Sequence, residues 1–438
     1  MSTPESSDDN RYRQIAKILH AVSKPMRVLA ALNWPAELRT QFLACDGARL
    51  PEPKYKPIDP APVLDGVQSV RRLLQSGVVD RWFAREAECI EATALMLSTL
   101  GTPAFYTYSQ QLYGSPTRPL ALDPATPLGL AEMVLQSIAQ LSAVRLVAPA
   151  QRDQSASQVA AELEVEVQRH FGAAAPSVEV VDELSANALA TATRIKVRRD
   201  ALFTRRDAAQ LLHHEAYVHV LTALNGQAQP DLPNLAVGHP GTTRTQEGLA
   251  VFAEFVSGAL ELDRLRRLAD RVVAIQMACD GANFIDVYRW FLEKSPSREQ
   301  AYEAARRIFR GAPLGGGGPF TKDCGYLAGL LGVSVFVRAA FAADRADTLG
   351  LLFSGKLDLS AIPALGILRS RGLCRPGKFL PPWALDPGWV LTYLTLNTFM
   401  VSVNLTAVTD SVRELLTQCP KIEVRSVEEV LAGQLSPG

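Results

Sequence analysis

The sequence has no excess of charge of either sign, few histidines and no pair of cysteines close together. Its 45 Lys and Arg equal its 45 Asp and Glu over 438 residues, which argues against a chain devoted to nucleic acid. The six cysteines, Cys45, Cys89, Cys279, Cys324, Cys374 and Cys419, are scattered. That spacing disfavours a disulfide framework and a Cys-based metal site, and suits free thiols in a reducing compartment. The N-terminal stretch MSTPESSDDNRYRQ is polar and acidic where a secretory signal would be basic and then apolar. The expected location is the cytoplasm. No repeat recurs at solenoid periods. The one charge-free run long enough to span a bilayer, Pro387 to Thr409, carries Asn397, Asn404 and several Thr, so it is expected to be a buried core helix rather than a membrane span.

What is present is a globular composition, 47% hydrophobic and 21% charged, in a chain large enough for a sizeable core. The patterns predict a helix-rich α+β fold. Residues 1–10, all polar apart from Met1 and Pro4, read as a disordered tail, and residues 11–125 as a mainly helical region. In that region a helix is expected from Asp80 to Leu100, stopped by Gly101 and Pro103. Leu50 to Pro62 reads as a Pro-rich connector and Tyr113 to Pro127 as a loop. Residues 126–345 form the expected core domain, and 346–438 a mainly helical region packed on it. The core domain should contain a helix from Ser155 to Phe171, then strands at Ser177 to Asp182 and Arg194 to Arg199. Thr204 and Asp207 make a capping-box start for the next helix, beside which the small sheet should lie.

Four of the six histidines, His213, His214, His219 and His239, fall between positions 213 and 239. Imidazole is the commonest zinc ligand, and catalytic zinc takes three protein ligands and leaves a fourth position open. Glu215, directly after His214, is placed as the general base of a metal-assisted hydrolysis. The spacing is HExxxH, which an ideal α-helix does not serve: residues five apart point about 140° from one another, against about 40° for residues four apart. A π-type widening brings such residues to one face. A π-turn or a helix end is therefore expected between His214 and His219.

A third ligand is sought among Glu247, Glu254 and His239. Glu247 opens an apolar-periodic helix in Thr245-Gln246-Glu247-Gly248-Leu249-Ala250, where Gly248 and Ala250 would let that helix press against the histidine helix. Glu254, on the same face, suits a grip on the second nitrogen of a ligand histidine. His239, in VGHPGTTR, suits a place on the substrate side. The run GAPLGGGGP from Gly311 to Pro319 lacks the GK[ST] ending of a nucleotide loop and is expected to be a flexible hairpin or lid.

HHEAYVH followed by TQEGLAVFAEF, RRIFRG at Arg306 to Gly311 and PFTKDCGYLAG at Pro319 to Gly329 resemble the QEGLA-motif proteins, known in bacteria as flavohaemoglobin expression-modulating proteins. The same domain occurs in the microtubule-associated tyrosine carboxypeptidases, which remove the C-terminal tyrosine of α-tubulin. The resemblance spans roughly residues 15–400. It implies a zinc metallopeptidase in which His214, His219 and Glu247 bind Zn2+ and Glu215 is the base. Val218 departs from the family pattern, in which Thr often precedes the second histidine. A carboxypeptidase also needs a cation for the substrate's terminal carboxylate, for which Arg310, Lys322 and Arg244 are candidates. Tyr326 is a candidate for stabilising the oxyanion. The expected partner is a peptide or protein C-terminus, with an aromatic last residue as one specificity, and neither nucleic acid nor membrane. The competing expectations are a zinc endopeptidase or aminopeptidase, and a non-catalytic regulator that keeps the metal site. The intact Glu215 weighs against the latter.

Overall fold

The computed structural model describes residues 7–120, 124–141, 152–182, 184, 187–295 and 297–402. Six helices come first: α1 (Ser7–Ser23), α2 (Val28–Ala31), α3 (Ala36–Ala44), α4 (Ala61–Leu73), α5 (Val78–Ser98) and α6 (Pro103–Tyr113). The expected disordered tail does not extend over residues 7–10. Residues 7–10 already belong to α1, where Asp8 and Asp9 favour the positive end of the helix, and residues 1–6 lie outside the described part. The helix α5 matches the expected one to within two residues at each end, and Gly101 takes the positive φ that ends its exit turn.

After α7 (Pro127–Leu141) come β1 (Gln154–Ser155), α8 (Ala156–Phe171), β2 (Ser177–Val181), β3 (Ala188–Ala190), β4 (Arg194–Arg198) and β5 (Leu202–Phe203). Ser155 and Gln158 cap α8 reciprocally. The two expected strands, β2 and β4, pair in parallel with Val178 opposite Ile195. The short β3, which carries no strand pattern of its own, adds antiparallel to β4. A separate two-stranded pair joins β1 to β5. The fold is thus α+β and rich in helix, with a small sheet packed beside the histidine segment.

The remaining helices are α9 (Arg205–Leu211), α10 (Leu221–Gln227), α11 (Pro240–Val256), α12 (Leu262–Cys279), α13 (Phe284–Leu292), α14 (Arg298–Phe309), α15 (Gly325–Ala342), α16 (Ile362–Ser370), α17 (Pro382–Leu385) and α18 (Pro387–Ser402). One large apolar cluster runs from Ile15 and Phe83 through Val218 and Phe252 to Phe353 and Trp383. The segment after α15 is sewn to this core by α10. Asn225 Nδ2 donates to the carbonyls of Phe353 (2.7 Å) and Phe379 (2.8 Å), while its Oδ1 accepts from the Phe379 amide.

Three expectations change. Gly248 does not face the histidine helix but meets Gly329 of α15, where a Cβ would lie 2.1 Å from the Gly329 carbonyl carbon. Two glycines let α11 and α15 touch backbone to backbone. The Gly311 to Pro319 run is not a free lid. The Gly101 amide donates to the Gly311 carbonyl, the Gly317 amide to Ala278, and the Phe284 amide to Leu314. The charge-free α18 is not a buried core helix either. It buries Val390 and Leu394 and exposes Trp389, Leu391, Leu396, Phe399 and Met400, because its apolar residues go all round and only one stripe can meet the core. The rest of the expected Pro387 to Thr409 helix lies outside the described residues.

Candidate metal centre

Thr204 starts α9 as its sequence predicts. Its hydroxyl accepts from the Asp207 amide at 3.1 Å, and Asp207 accepts from the Thr204 amide at 2.8 Å. From Leu212 to Val220 the helix widens into a π-helix, and the Leu221 amide reaches back to the Ala216 carbonyl five residues earlier. This brings His214 and His219 to one face. Their rings lie 4.9 Å apart, with the two Nε2 atoms 3.3 Å from each other.

The helix α11 brings Glu247 to the same point. Its Oε2 lies 3.6 Å from His214 Nε2 and 3.7 Å from His219 Nε2. These three residues are, among the described ones, a group whose donor atoms could hold a metal ion. Glu254, two turns further along α11, is wholly buried, and its Oε1 lies 2.7 Å from His214 Nδ1. That contact makes Nδ1 the donor and turns the Nε2 lone pair toward Glu247. Gln210 and Arg264 hold the far side of the same carboxylate.

The charges around the centre are matched by contact. Burial by itself would raise Glu254, but Arg264 and His214 outweigh it and hold it near 2. Burial would lower His214, yet Glu247 and Glu254 push it up to about 10. His219 is lowered, chiefly by burial. Glu247 is held well below the usual carboxylate range against its burial, first by Lys322 and then by the two histidines. Glu215, half-buried beside His214, has no hydrogen bond or ion pair among the described residues.

The other sequence candidates separate. Lys322 Nζ donates to Glu247 Oε1 at 2.8 Å and lies 3.3 Å from the Tyr326 hydroxyl, so its charge is already engaged. Tyr326 is buried, and its oxygen also accepts from Arg307, which forks onto Asp323. Arg310 is 7% exposed, has no ion pair and leaves Nε without a partner among the described residues, and rests 5.6 Å from the Phe320 ring centroid. Burial, reinforced by Arg307, lowers it to about 10. Arg244 is exposed on α11, three residues before Glu247. His239 does not join the group; its ring lies against Glu86, 3.9 Å from that carboxylate.

Two residues at the centre carry no signal in the sequence. Lys356 donates to the His219 carbonyl at 2.8 Å and is pushed down to about 8 by burial, against the pull of Glu247 and Glu215. Tyr113 closes α6 edge-on to Phe320, where the charges of Lys322, Arg310 and Glu247 reach its hydroxyl. Each stands alone in its local sequence, far from the motifs it meets.

A family model matches most of the chain. Residues 40–402 match that of the microtubule-associated tyrosine carboxypeptidase. The chain belongs to this family. As a member of the microtubule-associated tyrosine carboxypeptidase family it is a peptidase of the carboxypeptidase type, acting on a peptide or protein. No curated protein sequence matches the chain.

Proposed function

We propose that the protein is a zinc-dependent carboxypeptidase that removes an aromatic residue, tyrosine foremost, from a peptide or protein C-terminus. The observation that carries this reading is the triangle of His214 Nε2, His219 Nε2 and Glu247 Oε2, with edges of 3.3, 3.6 and 3.7 Å. A tetrahedral ion with bonds of about 2.0–2.2 Å separates its ligand atoms by about 3.3–3.6 Å. The donors, two neutral imidazoles and a carboxylate, are those of catalytic zinc. Bound there, zinc would polarise the scissile carbonyl and acidify the attacking water.

The chain's own residues supply the rest. Glu215 takes the proton from the attacking water and hands it to the leaving amine. Glu254 holds His214 in the tautomer that leaves Nε2 free. Lys322 offsets the charge of Glu247. The substrate's terminal carboxylate goes to Arg310, because a buried guanidinium without a carboxylate partner costs several kcal/mol and an incoming anion relieves it. Arg244, exposed and close along α11, guides the same end of the substrate.

The test uses peptide libraries with free and amidated C-termini. Wild type should shorten free-ended peptides by one residue, favouring Tyr and Phe, and leave amidated ones whole. Glu215→Gln should keep its zinc and lose turnover. Equal cleavage of amidated peptides would replace this reading with an endopeptidase, and full activity in Glu215→Gln would remove the assigned base.

A further inference from the structure

The helix α6 brings to the centre a phenol that has no task there so far. Ser109 and Tyr113 stand four residues apart on α6 and share a face. That face is fixed against the segment before α15. The Thr321 amide donates to Ser109 Oγ at 2.9 Å, and the Thr321 hydroxyl to the Ser109 carbonyl at 3.0 Å. One turn on, the Tyr113 ring meets Phe320 edge-on with centroids 5.3 Å apart, and Arg310 rests over that same Phe320 ring. The next residue, Gly114, faces Arg244 of α11, and a Cβ there would lie 3.8 Å from Arg244 Nη2. Tyr113 thus neighbours both guanidiniums offered to the substrate's terminal carboxylate.

Tyr113 is 6% exposed, and its phenol is governed by burial and by the charges of Lys322, Arg310, Glu247 and Asp323, with no hydrogen bond among the described residues. Burial raises it, so the hydroxyl keeps its proton. A buried tyrosine hydroxyl ordinarily finds a partner. Of these neighbours, Lys322 and Arg310 have only donors to offer. Glu247 is engaged by Lys322 and turned toward the two histidines, and Asp323 is forked by Arg307. What the hydroxyl lacks is an acceptor, and beside Arg310 and Arg244 an anionic one is favoured. Tyr326 differs, since its oxygen already accepts from Arg307 and Lys322.

We infer, on the carboxypeptidase reading above, that the Tyr113 hydroxyl is a further substrate-binding group, which donates to the terminal carboxylate that Arg310 receives. Arg310, just past α14, supplies the charge, and Tyr113 at the end of α6 supplies one directed hydrogen bond. Two donors from separate helices fix the orientation of a planar carboxylate better than one. A C-terminal amide carries no charge and gives both donors a weaker acceptor. The hydroxyl therefore serves the choice of a free chain end, while its ring stays on Phe320.

Tyr113→Phe removes one oxygen and keeps the ring, so it tests the hydroxyl alone. Binding is measured by calorimetry on the zinc-loaded full-length Glu215→Gln chain, with a peptide ending in free tyrosine and with its C-terminal amide. Adding Tyr113→Phe should weaken the free-ended peptide by at least about tenfold and the amide by no more than about twofold. With Glu215 intact, the loss should fall on KM rather than kcat, because the carboxylate is bound alike in the ground and transition states. The variant should melt as wild type does, since the hydroxyl has no protein partner to lose. Unchanged affinity for the free-ended peptide would overturn the assignment. So would a loss confined to kcat, which gives the hydroxyl to the reacting carbonyl, or a lower Tm, which gives it to the fold. Equal binding of both peptides by Glu215→Gln itself would remove the carboxypeptidase reading and Tyr113 with it, whereas a free-end preference that Tyr113→Phe leaves intact removes Tyr113 alone.

Discussion

Glu254 and His214 are joined at 2.7 Å across two helices, with the carboxylate wholly buried. This contact orients the His214 ring, and Arg264 and Gln210 in turn orient the carboxylate. Replacement of the carboxylate should therefore weaken the metal centre without touching it. Glu254→Gln is expected to lower zinc affinity by about 10–100-fold, measured by competition with a chromogenic chelator. Unchanged affinity would show that His214 needs no such partner.

Arg310 separates binding of the substrate's carboxylate from stability. Arg310→Met should raise KM for free-ended peptides on the order of a hundredfold, as expected for loss of a buried charge pair. Because it removes an unpaired buried charge, the variant should melt no lower than wild type. A large loss of Tm with unchanged KM would instead give Arg310 a structural role.

Gly248 and Gly329 bring α11 and α15 into backbone contact. Gly248→Ala and Gly329→Ala should each cost about 3 kcal/mol or more, at the upper end for overpacking, since the obstructing atoms are backbone and cannot turn aside. Urea denaturation measures this. Gly258→Ala makes a control for steric clash, because a Cβ there meets nothing within 4 Å; its φ of +72° confines any cost to backbone strain.

The pair Arg11–Asp80 ties α1 to α5. Burial would raise the Asp80 carboxyl, but its hydrogen bonds from Arg11 and the Gln75 amide bring it below its ordinary value of 3.8. A lowered acid contributes stability that is present above its unfolded pKa and lost as pH falls through the folded one. Wild type should therefore lose this contribution as pH falls below about 4. Arg11→Met should cost about 3 kcal/mol at pH 7 by leaving the buried Asp80 without its ion-pair partner, held only by backbone amides such as that of Gln75. Its acid loss should be correspondingly smaller, as read from unfolding free energies at each pH.

Much of the centre could be read along the chain. The five-residue step from His214 to His219 demands a widened helix, because backbone periodicity alone decides which side chains share a face, and Leu212–Val220 is such a segment. Thr204 with Asp207, and Ser155 with Gln158, declare their helix starts for the same local reason. What lies between elements was not written in any spacing. Glu247 and Glu254 were expected beside the histidines from their places along α11, but that Lys322 is engaged by Glu247, and that Lys356 and Tyr113 reach the centre at all, depend on helices packed from distant parts of the chain. The glycines of α11 and of the Gly311 to Pro319 run show the same division. Sequence marks where a side chain is missing, but only the neighbouring backbone, Gly329 against Gly248 and Gly281 against Gly316, decides what the missing side chain makes room for.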